Sequence, residues 1–243
     1  MQFDSNAAWK QAAAAVSANR EVLLALAGVF FLLPSLAFSL FFPQPEPTAG
    51  MDEKAMMAMV QDYYVSVLPV LIPIALVQAA GTLTLLTLFT DRTRPTVREA
   101  IRRGTMGTII YFAAQLLLGI AVGIGGGALL AFGALTGSAA VIVVIGVAVA
   151  LIVIYVMIKT SLAAPVIAVE HQRNPIKALQ RSWRLTKGNS ARLGLFYLLV
   201  IVVFLLIVTV VMALVGITLA LVASAEVARV IAAVVSSAFG AVM

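Results

Sequence analysis

Gly104 to Ile158 reads GTMGTIIYFAAQLLLGIAVGIGGGALLAFGALTGSAAVIVVIGVAVALIVIYVMI, 55 residues without a charged side chain. As one helix it would reach roughly 80 Å, against a hydrocarbon core of about 30 Å. It must therefore turn back on itself, and Gly133-Ala134-Leu135-Thr136-Gly137-Ser138 is its strongest turn signal. Two membrane spans result, at about 108–132 and 139–165.

Reading outward, residues 22–45, 63–90 and 193–225 are also free of charge. With the first run they cover over half of the 243 residues. The chain is 63% apolar and 11% charged, where a soluble domain carries about 25% charge. This composition excludes a water-soluble globule, a collagen and a disordered chain, and leaves little room for a soluble catalytic domain. Cysteine is absent, so disulfides and thiolate metal sites are excluded.

The fold class expected is all-α: a polytopic membrane bundle of six spans forming one integral membrane domain over residues 1–243. Besides the two spans above, the others fall at about 22–42, 65–89, 193–222 and 227–243. The first lacks an A-x-A cleavage pattern and is read as a retained span rather than a leader. Pro43, Pro45 and Pro47 end it in an extended segment, and Met51–Tyr64 is expected as a short helix outside the membrane. Pro69 and Pro73 are expected to kink the start of the second span. The last span is short and carries Arg229 near its start.

Charge fixes the expected orientation. With both termini inside, 14 of the 16 cations fall on inside segments, and only Lys54 and Arg229 fall outside. Lys/Arg excess marks cytoplasmic loops. A threefold repeat of one inside helix plus two spans is also expected, from Ala8-Trp9-Lys10-Gln11, Ala100-Ile101-Arg102-Arg103 and Ala178-Leu179-Gln180-Arg181.

The inside segment from Asn174 to Asn189 carries the strongest functional signal. Asn174 can cap a helix with Pro175 at its first position, and Gly188-Asn189 supplies a stop. At 100° per residue, Ile176, Leu179, Ser182, Trp183 and Thr186 share one side, and Lys177, Arg181, Arg184 and Lys187 the other. Such a helix lies in the interface of an anionic leaflet, with Trp183 as anchor. Each cation near that surface is worth roughly 1 kcal/mol. Glu170 is placed to pair with Arg181 or Arg184. A second inside helix opens on the capping box Thr96-Val97-Arg98-Glu99 and adds Arg98, Arg102 and Arg103 to a basic collar. Anionic head groups are the expected partners of these residues. Nucleic acid is not, because the cations are split between loops and no stacking platform accompanies them.

Gly119, Gly123 and Gly127 repeat every four residues in the third span and predict close helix packing, within the chain or between copies. They do not form a phosphate loop, since no Lys-Ser/Thr follows. Met51, Met56, Met57 and Met59, with Tyr63 and Tyr64, read as the apolar side of an interfacial helix rather than a copper site. No Asp or Glu lies in the middle of a span, which speaks against a carboxylate proton relay. Gln78, Gln115, Thr82, Thr84 and Thr87 are the polar interior candidates. The single His171 has no partner pattern, and no nucleophile elbow or metal-ligand cluster is present. A non-enzyme without metal or cofactor is expected.

The run Ala164-Pro165-Val166-Ile167-Ala168-Val169-Glu170, then Pro175, Ala178-Leu179 and Arg181-Ser182-Trp183-Arg184-Leu185-Thr186-Lys187-Gly188-Asn189, resembles a known signature. It is similar to the membrane domain attached to some bacterial glycerophosphoryl diester phosphodiesterases, and to YciC-like inner-membrane proteins. In the two-part members hydrolysis belongs to a separate barrel, which this chain lacks, so the resemblance transfers no activity. It implies a protein of the bacterial cytoplasmic membrane concerned with phospholipid or envelope maintenance. Two alternatives stand beside that expectation: a scaffold or accessory subunit assembling through the glycine face, as a homo-oligomer or with a membrane partner, and a small-solute transporter.

Overall fold

A computed structural model of the chain describes residues 5–45, 50–90, 95–222 and 225–242. Every regular element among the described residues is helical. They are α1 (Ser5–Ala18), α2 (Arg20–Ala27), a π-helical turn (Gly28–Leu32), α3 (Leu33–Phe41), α4 (Glu53–Thr90), α5 (Val97–Leu135), α6 (Ala139–Thr160), α7 (Ala163–Val169), α8 (Pro175–Leu185), α9 (Ser190–Val222) and α10 (Ala225–Val242). Five stretches are long and apolar enough to cross a membrane: α2 through α3, α4, α5, α6 through α7, and α9. The apolar part of α10, Val230–Gly240, is shorter than these. Arg92 and Arg94, two of the 14 cations assigned to inside segments, lie outside the described residues, as does the side chain of Arg229.

Two expected boundaries dissolve. Met51–Tyr64 and the second span form one helix of 38 residues, with Pro69 and Pro73 inside it. Each proline removes one hydrogen bond, a local loss that an apolar helix absorbs without ending. The second inside helix and the third span likewise form one helix of 39 residues. No proline interrupts it, and the glycines at the expected boundary, Gly104 and Gly107, each cost only about 1 kcal/mol of helix propensity. The opposite happens after Thr160. Ser161 and Leu162 form a turn, and the apolar run restarts as the separate helix α7. Pro165 cannot donate back to Ser161, which favours this break.

The chain groups into two compact units, Met1–Ala13 with Thr82–Leu199, and Ala14–Gly81 with Val200–Met243. In the first, α5 and α6 form an antiparallel pair joined by a tight turn in which Gly137 takes φ +65°. A Cβ at Gly126 would stand 3.2 Å from Val149, and one at Gly133 would stand 2.9 Å from Ile145. α7 packs on α5 and α8, and α8 also packs on α5 and α6. Leu83, Ala164, Val166, Ile167, Ala168 and Ala178 are the buried core of this unit.

In the second unit, the π-helical turn precedes Pro34. Leu33 donates to the Gly28 carbonyl, one residue further back than in an α-helix, where the next residue has no N–H to give. α10 packs on this turn and on α3. Gln78 Nε2 donates to Ser35 Oγ at 3.1 Å, and Tyr63 Oη donates to the Phe42 carbonyl at 2.7 Å.

Candidate functional site

The segment from Lys159 to Gly188 folds into a turn, a short buried helix and the basic helix α8. Asn174 Oδ1 accepts from the Lys177 amide at 3.1 Å, so the expected cap forms with Pro175 at the first position. Gly188 takes φ +83° and ends the segment as expected. His171 takes φ +52° in the turn between α7 and α8.

Only the small residues of the side expected to share Trp183, with Ala178 beside them, pack inward. Ala178, Ser182 and Thr186 are completely or almost completely buried, whereas Ile176 and Trp183 are exposed. Small side chains let α8 approach its neighbours closely, and the larger apolar groups are thereby turned outward. Ser182 Oγ donates to the Lys159 carbonyl at 2.8 Å and accepts from the Leu162 amide at 3.1 Å. Thr186 Oγ1 reaches the same carbonyl at 3.4 Å. The end of α6 is thus capped by another helix, 20 or more residues away in sequence. Helix ends leave carbonyls without intrahelical partners, and here a side chain supplies one.

Lys177, Trp183, Arg184 and Lys187 are all exposed, while Arg181 is half-buried. Arg181 forms the expected pair with Glu170: Nε lies 3.0 Å from Oε2, and Nη2 lies 3.0 Å from Oε1. The hydrogen bonds to Glu170, and then its charge, raise the Arg181 pKa above the usual guanidinium range. Arg181 is therefore engaged within the chain, and the other three cations of α8 project from it.

The first turns of α5 bring the second group of cations into the same unit. The capping box forms, with the Thr96 side chain accepting from the Glu99 amide at 3.3 Å and Glu99 Oε2 accepting from the Thr96 amide at 3.1 Å. Arg98 and Arg102 are exposed and Arg103 is half-buried. Ala100, on the intervening face of α5, is fully buried, and α5 packs on α8. Gly104 allows a close approach of α4: a Cβ there would stand 2.7 Å from the Thr84 amide nitrogen.

A residue first read only as a topogenic cation proves central to this region. Lys159 is 4% exposed. Its Nζ lies 5.6 Å from the Tyr155 ring centroid and 5.5 Å from that of Trp183, and the two rings meet edge to face at 5.8 Å. Both distances are in the range of a cation–π contact. The sequence signal was the spacing of Tyr155 and Lys159, one helical turn apart.

The glycine expectation needs correction within the chain. Built Cβ atoms on Gly119, Gly123 and Gly127 would meet nothing within 4 Å. The α5–α6 contact uses Gly126 and Gly133 instead, because a four-residue repeat drifts around the helix and only one of its faces meets α6. Of the polar interior candidates, Thr84 and Thr87 are buried, but Gln115 is exposed and donates to Tyr111 Oη at 2.7 Å. Met56 and Met57 are exposed on the first turns of α4. Among the described residues no group of three His, Cys, Asp or Glu is arranged to hold a metal ion.

Residues 6–243 match a family described as a domain of unknown function, DUF7847, and the chain belongs to it. No curated protein and no solved structure matches the chain.

Proposed function

We propose that this DUF7847 protein is a non-enzymatic, multi-pass protein of the bacterial cytoplasmic membrane that engages phospholipids through the basic outer face of α8. The observation that carries this reading is the exposure of Lys177, Arg184 and Lys187 on the same short helix and turn that expose Trp183. Ser182, Thr186 and Ala178 hold that face outward, and Arg98 and Arg102 extend the cationic surface from α5. Cations beside an aromatic ring at this depth suit phosphate head groups. The resemblance of residues 164–189 to the membrane domain of glycerophosphoryl diester phosphodiesterases supports the same lipid theme.

In this arrangement α10 is the sixth crossing, both termini are cytoplasmic, and the pairs α1 with α2 and α8 with α9 are two of three parallel repeats. The second repeat has lost its helix break, since α5 runs through from Val97. The test is flotation of the purified protein with vesicles of anionic or zwitterionic lipid. Replacing Lys177, Arg181, Arg184 and Lys187 by Gln should abolish the preference for anionic lipid. An unchanged preference would overturn the reading.

A second reading, assembly through the glycine face of α5, draws on the open surface around Gly119, Gly123 and Gly127 beside exposed Ile120 and Ile124. Gly123→Leu should then lower the oligomer mass, and an unchanged mass would remove this alternative.

A further inference from the structure

A cleft of about 280 Å³ opens between α5 and α6 in the first unit. Leu118, Gly125 and Gly126 form one wall and Val149, Val153 and Val156 the other, with only Leu, Ile, Val, Ala and Gly around it. It runs about 16 Å along α5 and about 10 Å along α6, a third to a half of a hydrocarbon core. An apolar cleft of this kind stays dry. Within a span, what reaches it is hydrocarbon.

The two helices change character at one end of the cleft. On α6, Lys159 follows Val156 by three residues, one turn beyond the lining. The antiparallel pairing of Gly126 with Val149, continued down the helices, brings Gln115 and Tyr111 of α5 toward this level. Lys159 is 96% buried, being 4% exposed, and its ammonium faces two aromatic rings. Among the described residues no carboxylate lies within 4 Å of it. Aromatic faces offset part of a buried charge, but an ammonium held out of water is costly without an anion beside it.

We infer that the α5–α6 cleft and Lys159 together form a binding site for one anionic phospholipid, with part of an acyl chain in the cleft and its phosphate against the Lys159 ammonium. The site deepens the lipid reading above and shares its end of the molecule, but it uses none of the exposed cations of α8. Trp183 belongs to both, with one side of the ring toward Lys159 and an exposed part toward the surface. The exposed face gathers many lipids loosely, and the cleft holds one lipid by chain and head group at once.

The experiment is native mass spectrometry of the full chain, extracted in mild detergent and titrated with phosphatidylglycerol. The parent protein should retain one lipid tightly and further lipids weakly. Lys159→Gln should weaken the tight event about tenfold, the loss of one charge-assisted contact. Gly125→Leu should weaken it by a similar factor, because Gly125 lines the cleft and a Cβ there meets nothing within 4 Å, which leaves room for a longer side chain to fill it. Substituting the four α8 cations should remove the weak events and leave the tight one. Loss of the weak events alone therefore bears on the α8 reading, and loss of the tight event alone bears on the cleft.

Equal retention in Lys159→Gln and Gly125→Leu would overturn the site. So would equally tight binding of glycerophosphate, which has no chain, or a halved protein mass in Gly125→Leu, which would make the cleft a seat for a second copy. Should either variant fail to fold, the parent protein decides the matter with phosphatidylglycerol carrying a photoreactive acyl chain. Cross-links concentrated on residues 118–129 and 149–156 support the site, and cross-links spread over all spans refute it.

Discussion

Ser182→Ala removes one oxygen and tests how α6, α7 and α8 are held together. Ser182 is completely buried, and its hydroxyl joins the Lys159 carbonyl at 2.8 Å to the Leu162 amide at 3.1 Å. Each hydrogen bond contributes about 1 kcal/mol net, and stranding a polar group away from water costs about 1–3 kcal/mol more. The Lys159 carbonyl retains Thr186 Oγ1 at 3.4 Å, a long contact, while the Leu162 amide loses its bond to the Ser182 hydroxyl altogether. Alanine returns about 0.5 kcal/mol of helix propensity. The net expectation is about 2–3 kcal/mol of destabilisation, measured by unfolding in mixed micelles followed by circular dichroism. Hydrogen exchange should rise locally at residues 159–163. Thr186→Val alone should cost less, and the double variant should lose more than the sum of the two, since both hydroxyls converge on one carbonyl. A Ser182→Ala protein within about 0.5 kcal/mol of the parent, with unchanged exchange, would refute this account of the α6 terminus.

Gly104→Ala should destabilise by about 1–3 kcal/mol, because its Cβ would press on the Thr84 backbone, whereas Gly123→Ala should be neutral or stabilise by up to about 1 kcal/mol; equal effects in the same unfolding assay would contradict the α4–α5 approach. Asn174→Ala should cost about 1 kcal/mol and fray the first turn of α8, seen as faster exchange at the Lys177 amide. Glu170→Gln should leave global stability unchanged within error while loosening the turn at His171 in hydrogen exchange, because the pair with Arg181 is two-fifths exposed. Arg181 binds its proton more firmly in the folded chain, so its contribution is complete below the ordinary guanidinium range and is lost only above it; a stability titration through neutral and mildly alkaline pH should show no step that Arg181→Gln removes.

Long uncharged runs and local end signals were legible from sequence. The hairpin at Gly137, the Asn174 cap, the Thr96 capping box and the Glu170–Arg181 pair each rest on residues close together in the chain. Continuity was less legible. A short outside helix before a span kinked by Pro69 and Pro73, and a separate inside helix before the third span, were expected, yet α4 and α5 each run through as one helix. Which residues of α8 pack inward was not legible for a related reason. Periodicity ranks side chains by hydrophobicity, but α8 is seated by two hydroxyls and a methyl, with Trp183 left over for another role. The glycine repeat shows the same limit, since spacing marks where helices can approach and not which face finds a neighbour. Lys159 was hidden because a lysine at the end of a span is an ordinary topogenic charge until its two rings are seen.

The proline pair in α4 has a consequence for how deeply that helix can sit. Pro69 and Pro73 have no N–H, so the carbonyls of Val65 and Pro69 have no helical donor. In hydrocarbon each bare carbonyl costs several kcal/mol, and in water almost nothing. Sliding α4 inward would drown both carbonyls, and Tyr63, whose hydroxyl ties it to the Phe42 carbonyl, would be dragged with them. In the proposed membrane arrangement the two prolines thus act as a draught mark on the helix: they favour a waterline near residues 63–69 and oppose any vertical displacement that would submerge it.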